Sequence, residues 1–363
     1  MALPFTYPLE PMLAKIGDGI PEKGEWLFEP KWDGFRAIVF RDGDEVYTQS
    51  RDKKPLDRYF PELQAPLREM LPERCVLDGE IILMGDGALD FGALQQRIHP
   101  AKSRIERLSK ETPAAFVFFD LLALGDEDLR NEGQLARRRR LEEILKAAAP
   151  PVFITPATTD RKVAKHWFDH FEGAGLEGLI AKRVDQTYAP KKRALMKIKH
   201  VRTVDCVVAG FRWHKKGPGT LVGSLLLGLY DDEGKLHHVG ITSSFKMDYR
   251  KELAAELEPL RKGALDNHPW AAWAQYESEA REKGGRMPGG LSRWSQGKDL
   301  SWEPLRLERV VEVKYDYLQS GRFRHAATFL RWRTDKPIRE CTLGQHQDPE
   351  PANLQSVFET AER

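Results

Sequence analysis

Glu29-Pro30-Lys31-Trp32-Asp33-Gly34-Phe35-Arg36 is the stretch on which the reading of this chain turns. It forms a loop between two predicted strands, residues 25–29 before it and 35–40 after it. A further strand-like run, 45–49, follows the turn signal Arg41-Asp42-Gly43-Asp44, which predicts a β-hairpin. Within the loop a lysine stands beside an acidic residue, a glycine and an arginine, an unusual set for a core. Glycine lets the backbone approach a phosphate, and arginine grips that phosphate as a fork. A lysine attacks phosphorus once its pKa of about 10.4 is lowered by neighbouring cations or by desolvation. On this segment alone a charged surface loop competes with a nucleophile.

Working outward, strands are predicted at 76–83, 115–121, 178–182 and 194–198. Helices fit 61–70, 92–98, 134–148 and 161–173, where apolar residues recur every three or four positions. That is an α+β domain over residues 1–202. From Thr203 the texture changes to short strands at 204–211, 223–230 and 236–241, a helical stretch at 249–282, and strands at 305–315 and 326–332. Short strands with one inserted helical stretch fit a small β-barrel such as an OB-fold, over residues 203–345. Residues 284–297 are rich in Gly, Arg and Ser and read as a loop, and 346–363, polar and Pro-containing, as a flexible tail.

Several segments share the chemical flavour of the loop: Ser50-Arg51, Asp78-Gly79-Glu80, Phe118-Phe119-Asp120, Glu177-Gly178 and Lys197-Ile198-Lys199. Side chains alternate along a strand, so Lys197 and Lys199 point one way and Ile198 the other. Two ammonium groups facing one way suit a polyphosphate. Arg331 and Arg333 share a face in the same manner, followed by Asp335-Lys336. Each pair taken alone also reads as a solvated strand face. Glu80 and Glu177 offer the oxygen ligands that a hydrated Mg²⁺ prefers, or are simply exposed glutamates.

Taken together and in this order, the segments resemble the covalent nucleotidyltransferase superfamily, and within it the ATP-dependent DNA ligases. The resemblance runs from Pro11-Met12-Leu13-Ala14 to Lys336, with Lys31 to Arg36 matching the family's KxDGxR element. It implies an adenylyltransferase (ATP-grasp-like ligase) domain of antiparallel sheets and helices, followed by an OB-fold domain. It further implies that Lys31 is the nucleophile forming lysyl-AMP, that Glu29 reads the adenine amino group, and that Phe119 stacks on the base. Arg36 and Arg51 would hold ribose or phosphate, and Glu80 and Glu177 would organise Mg²⁺ or the ribose, with Mn²⁺ as the alternative metal. Lys182, Lys197 and Lys199 would neutralise the triphosphate of ATP, and Arg331, Arg333 and Lys336 would orient pyrophosphate as the barrel closes. A fragment ending near Arg202 is therefore expected to bind ATP yet adenylate poorly. One departure is that Ala194-Leu195-Met196 precedes Lys197, where the family often places a tryptophan.

The implied activity is sealing of nicked duplex DNA by a monomer of the small stand-alone bacterial type, with a DNA-end-binding repair protein as a candidate partner. An RNA ligase, an mRNA-capping-type guanylyltransferase and a non-catalytic nucleic-acid-binding protein are the rival readings. Composition neither helps nor hinders. The net charge of +2 divides into 33 basic against 32 acidic residues through Arg202 and 24 against 23 after it, so phosphate binding must come from local clustering. No apolar run approaches the roughly 18 residues that span a bilayer. Three dispersed cysteines and the lack of a secretory signal predict a reducing cytoplasm. The run Arg137-Arg138-Arg139-Arg140 beside Glu142 and Glu143 reads as a solvated helix face.

Overall fold

A run as apolar as Ala115–Leu124, interrupted by Asp120 alone, has no face to offer water and becomes a strand covered on both sides. The computed structural model describes residues 3–271, 301–319, 321–346 and 349–359 and divides the chain into two units. The first comprises Met1–Lys199 together with Asp348–Arg363, and the second His200–Gln347.

The strands of the first unit begin with β1 (Leu13–Ile16), β2 (Trp26–Pro30), β3 (Phe35–Asp42), β4 (Glu45–Ser50) and β5 (Arg74–Ile82). After them come β6 (Ala115–Leu124), β7 (Glu127–Asp128), β8 (Val152–Ile154), β9 (Gly178–Arg183) and β10 (Arg193–Lys199). They build one sheet in the order β4-β3-β5-β6-β7, with β8 beside β6, and another in the order β1-β10-β9-β2. The sheets are mixed and not purely antiparallel as expected: β1 runs parallel to β10, and β6 to β8. Parallel neighbours need a long crossover, and the chain between β6 and β8 supplies one through helix Gln134–Ile144.

Alternation along β3 shows how the layers meet. Ala37 and Val39 share a core with Leu67, Leu94 and Leu141 of three helices. Ile38 and Phe40 turn the other way and share a core with Leu195 of β10. Ile82 and Val117 likewise meet Phe28, Leu179 and Ile198. Helices thus cover one face of the larger sheet and the smaller sheet covers the other, which leaves the loop between β2 and β3 at the junction of the two sheets.

The chain end differs from the expected flexible tail. Leu354–Glu359 is a helix, and Leu354 and Val357 are buried in the core that contains Phe28 and Trp32. An isolated six-residue helix is not stable in water, so its order comes from docking. Full burial of each such side chain contributes roughly 1.5–3 kcal/mol. Leu354 N donates to Gly87 O at 2.7 Å, and a Cβ on Gly173 would lie 1.8 Å from Glu350 O, so the closeness of this segment requires glycine there. The first unit is therefore made of two separate stretches of sequence.

In the second unit β11 (Arg202–Trp213), β12 (Val222–Tyr230), β13 (Leu236–Thr242), β14 (Glu303–Pro304) and β15 (Val310–Tyr315) precede β16 (Leu318–Gln319), β17 (Arg322–Phe323) and β18 (Thr328–Trp332). The main order is β13-β12-β11-β15-β18, all antiparallel. A bridge between Thr242 and Ala327, with Ala327 N donating to Ile241 O at 2.8 Å, brings the two edges of this sheet together. Leu253, Leu257 and Leu260 of helix Met247–Arg261 join the core of this unit with Trp270. The rest of the stretch expected to be helical, and the 284–297 loop, lie outside the described residues. No helix among the described residues is long and apolar enough to cross a membrane.

Candidate active site

Lys31 is the first residue after β2, and its backbone is still strand-paired: Lys31 N donates to Gly178 O at 2.8 Å and Glu177 N to Lys31 O at 2.9 Å. That pairing sets the side chains of Lys31 and Glu177 next to each other, and the two form an ion pair through Glu177 Oε2. Glu177 Oε1 receives Lys199 Nζ at 3.1 Å. Burial pushes the Glu177 carboxyl up, but Lys31 and Lys199 outweigh it and leave it below its ordinary value. Three residues on, Gly34 lies against β5, where a Cβ would come within 2.2 Å of Ile81 O, so the loop cannot carry a larger residue there without moving.

The walls of the cleft around Lys31 come from both sheets: Leu13 and Ala14, Glu29, Pro30, Trp32, Arg36, Arg51, Glu80, Phe119, Ile180, Lys182, Arg193, Leu195 and Lys197. Phe119 reaches it through a bulge. Asp78 pairs with Asp120 and Gly79 with Phe118, so Phe119 is the extra residue of β6 and is turned out of the regular alternation. Its ring lies 5.4 Å from the Arg36 guanidinium and 4.8 Å from Lys182 Nζ. Arg36 is held by Asp78, with Nε donating to Oδ1 at 3.0 Å and Nη2 to Oδ2 at 2.6 Å, and it donates to Met12 O at 2.6 Å. Tyr188, which the sequence reading did not single out, donates its hydroxyl to the same Asp78 at 2.7 Å.

Two charged groupings line the cleft. In one, Glu29 is 2 % exposed, with Oε2 bound to Lys182 Nζ at 2.9 Å and Oε1 buried without a hydrogen-bond partner. Burial raises the Glu29 carboxyl against the pull of Lys182 and Arg138. In the other, Glu80 stands near Lys31 and Arg36, and burial outweighs those cations to push its carboxyl up to about 8. Lys197 is lowered by burial and by the neighbouring Lys199 and Lys31.

Lys182 lines the cleft, is 2 % exposed, is paired with Glu29, and donates to Phe119 O at 2.9 Å. The placement corrects one expectation: the arginine run is not uniformly a solvated face. Arg137 is fully buried and grips Asp120 with two bonds of 2.8 and 2.9 Å, while Arg138 is 5 % exposed, bonds Glu142 at 2.6 Å and comes within 3.9 Å of Glu29 Oε1. Helix Gln134–Ile144 lies on β6 through Leu141, so the residues one turn before Leu141 are carried inward with it. Arg139 alone of the four is exposed.

Arg331, Arg333 and Lys336 belong to the second unit. Each has a carboxylate partner there: Arg331 with Glu312 at 2.6 Å, Arg333 with Asp205 and Asp335 at 3.0 and 2.8 Å, and Lys336 with Glu340 at 3.2 Å. No group of three or more His, Cys, Asp or Glu residues that could hold a metal occurs among the described residues. All three cysteines are free and buried.

A lysine, an aromatic ring and a buried carboxylate lining one cleft suit an enzyme that handles a nucleotide, and the comparisons name the family. The family model for the ATP dependent DNA ligase domain matches residues 11–199, and that for the ATP dependent DNA ligase C terminal region matches 218–336. The chain belongs to the ATP-dependent DNA ligases. It is 53 % identical to DNA ligase C2 of Mycolicibacterium smegmatis over 349 residues, covering 96 % of this chain and 97 % of that one. It is 50 % identical to DNA ligase C of Mycobacterium tuberculosis over 363 residues, covering 98 % and 99 %. A solved structure described as one of the Lig E DNA ligases shares the fold, with a TM-score of 0.55 and 18 % identity over 89 % of this chain and 99 % of that one.

Proposed function

We propose that this ligase joins 3′-hydroxyl and 5′-phosphate ends at nicks in duplex DNA, with Lys31 as the nucleophile. The observation that carries the reading is Lys31 Nζ at the wall of a cleft that also presents the ring of Phe119 and the unpartnered, buried Oε1 of Glu29. An aromatic face and a buried acceptor are what an adenine ring and its amino group require. Lys31 forms a bond to the α-phosphorus of ATP as the bond to pyrophosphate breaks. AMP then passes to the 5′-phosphate of the nick, and the 3′-hydroxyl displaces it. Each step is an in-line displacement in which the protein mainly positions groups and neutralises charge.

Arg36 and Arg51 serve ribose and phosphate in this reading, Lys197 and Lys199 the triphosphate, and Arg331, Arg333 and Lys336 the leaving pyrophosphate. Lys182 is assigned to Glu29, whose charge it balances. Glu80 on the cleft wall and Glu177 beside Lys31 fit a Mg²⁺ or Mn²⁺ ion that takes most of its ligands from phosphate and water. The ion would supply charge neutralisation at the phosphates. The joined edges of the six-stranded sheet support an OB-type barrel for the second unit. We place the enzyme in the bacterial cytoplasm with the nucleoid, as a stand-alone monomer in DNA repair.

A relative in Pseudomonas aeruginosa, a multifunctional non-homologous end joining protein, is 30 % identical over 96 % of this chain and 38 % of its own length. That likeness supports a DNA-end-binding partner. The test is incubation with labelled ATP and Mg²⁺, followed by sealing of DNA, RNA and mixed nicks. A covalent AMP adduct that Lys31→Ala abolishes is expected, and an adduct that persists in that variant overturns the assignment.

A further inference from the structure

The residue after the nucleophile is held by the far end of the chain. Trp32 is 4 % exposed, and its Nε1 donates to the buried Thr155 Oγ1 at 2.8 Å. One face of its indole stacks on Phe358, with ring centroids 5.4 Å apart and planes at 26°. Phe358 in turn lies 5.1 Å from the ring of Phe153. It is carried by the helix Leu354–Glu359, which Leu354 and Val357 seat in the same core.

We propose that Phe358 is a positioning residue for the adenylation step, acting through Trp32 on the placement of Lys31. The loop that bears Lys31 is fixed on one side by strand pairing with Gly178 and Glu177, and at Gly34 by the backbone of Ile81. Trp32 is the third anchor. Its partners include a residue more than 300 positions away in sequence. With Phe358 removed, one face of the indole loses its packing, and the peptide between Lys31 and Trp32 gains freedom. An in-line attack is sensitive to that freedom, because a misplacement of about 1 Å costs on the order of a hundredfold in rate. ATP binding is less sensitive, since Glu29, Phe119 and Arg36 are positioned by Lys182, the β6 bulge and Asp78.

The inference rests on the reading of Lys31 as nucleophile, and its test measures how fast the adduct forms, whereas the Lys31→Ala test asks whether it forms at all. Single-turnover adenylation is followed across ATP concentrations for Phe358→Ala and Phe358→Trp, at a temperature where circular dichroism shows both folded. Phe358→Ala is expected to lower the saturating rate about tenfold with the ATP KM within about twofold of the parent, and Phe358→Trp, which restores a flat ring, to recover most of the rate. A saturating rate unchanged in Phe358→Ala, a loss confined to KM, or no recovery in Phe358→Trp overturns the proposal. Should Phe358→Ala fail to fold, Phe358→Leu takes its place under the same criteria, since it keeps apolar volume and lacks the ring. An adduct that survives Lys31→Ala would instead remove the reading of Lys31.

Discussion

Replacing Arg138 by Met tests the electrostatics under the carboxylate of Glu29, proposed above to read adenine. The Arg138 guanidinium lies 3.9 Å from Glu29 Oε1 and is almost fully buried. Unit charges at that distance in a medium of effective dielectric about 20 attract by about 4 kcal/mol, which is the ceiling on the effect. Arg138 is shared with Glu142, and Glu29 keeps Lys182, so the net loss falls to about 1.4 kcal/mol. Burial already holds the Glu29 carboxyl above its ordinary value, and Arg138→Met raises it further. If ionised Glu29 accepts the adenine amino group, the ATP KM rises about tenfold at the pH where the parent is ionised and the variant is not. The deficit shrinks as pH rises, because the variant's carboxyl ionises again, while the saturating adenylation rate stays within about threefold. Adenylation kinetics from pH 6 to 9 supply the measurement. An ATP KM equal to the parent's throughout, or a deficit that widens with pH, refutes the reasoning.

Glu80 gives a pH signature of stability. Its carboxyl is raised to about 8 from an ordinary 4.5, so its contribution is fully present below the unfolded value and is lost as pH rises through about 8. Glu80→Gln should therefore flatten the fall in Tm between pH 5 and 9, and parallel profiles for parent and variant would count against it. Arg137→Met leaves Asp120 buried without its two-bond partner. The expected cost in chemical denaturation is about 3–5 kcal/mol, much of it recovered when Asp120→Asn is added; a loss under about 1 kcal/mol would show that other groups compensate.

Much of the cleft was legible because its information is local. The turn at Gly43, with φ of +64°, and the strands on either side of Lys31 follow from periodicity and turn chemistry over a few residues. Arg138 was not legible. A helix rich in arginine and glutamate has the same pattern whether it faces water or a buried carboxylate, and the carboxylate in question, Glu29, lies 109 positions earlier. Phe119 could be matched to an adenine-stacking aromatic, but strict alternation along β6 would have paired it with the wrong neighbours, since a bulge leaves no mark in composition. The terminal helix was missed for a different reason. Its polar and Pro-containing approach signals weak order, yet Leu354, Val357 and Phe358 stand at the spacing of one helical face, and that stripe was the available signal.

The discontinuity of the first unit changes what a deletion means. Truncation after Arg202 removes the second unit and, with it, the helix that lies on Trp32. Slow adenylation by such a fragment would confound two causes, the missing arginines at 331 and 333 and a loosened Lys31 loop. Excision of His200–Gln347, with Lys199 rejoined to Asp348 through a short flexible bridge, separates them. In genetic terms the second unit is an insertion into the first, and its removal as an insertion leaves Lys31 in its native setting.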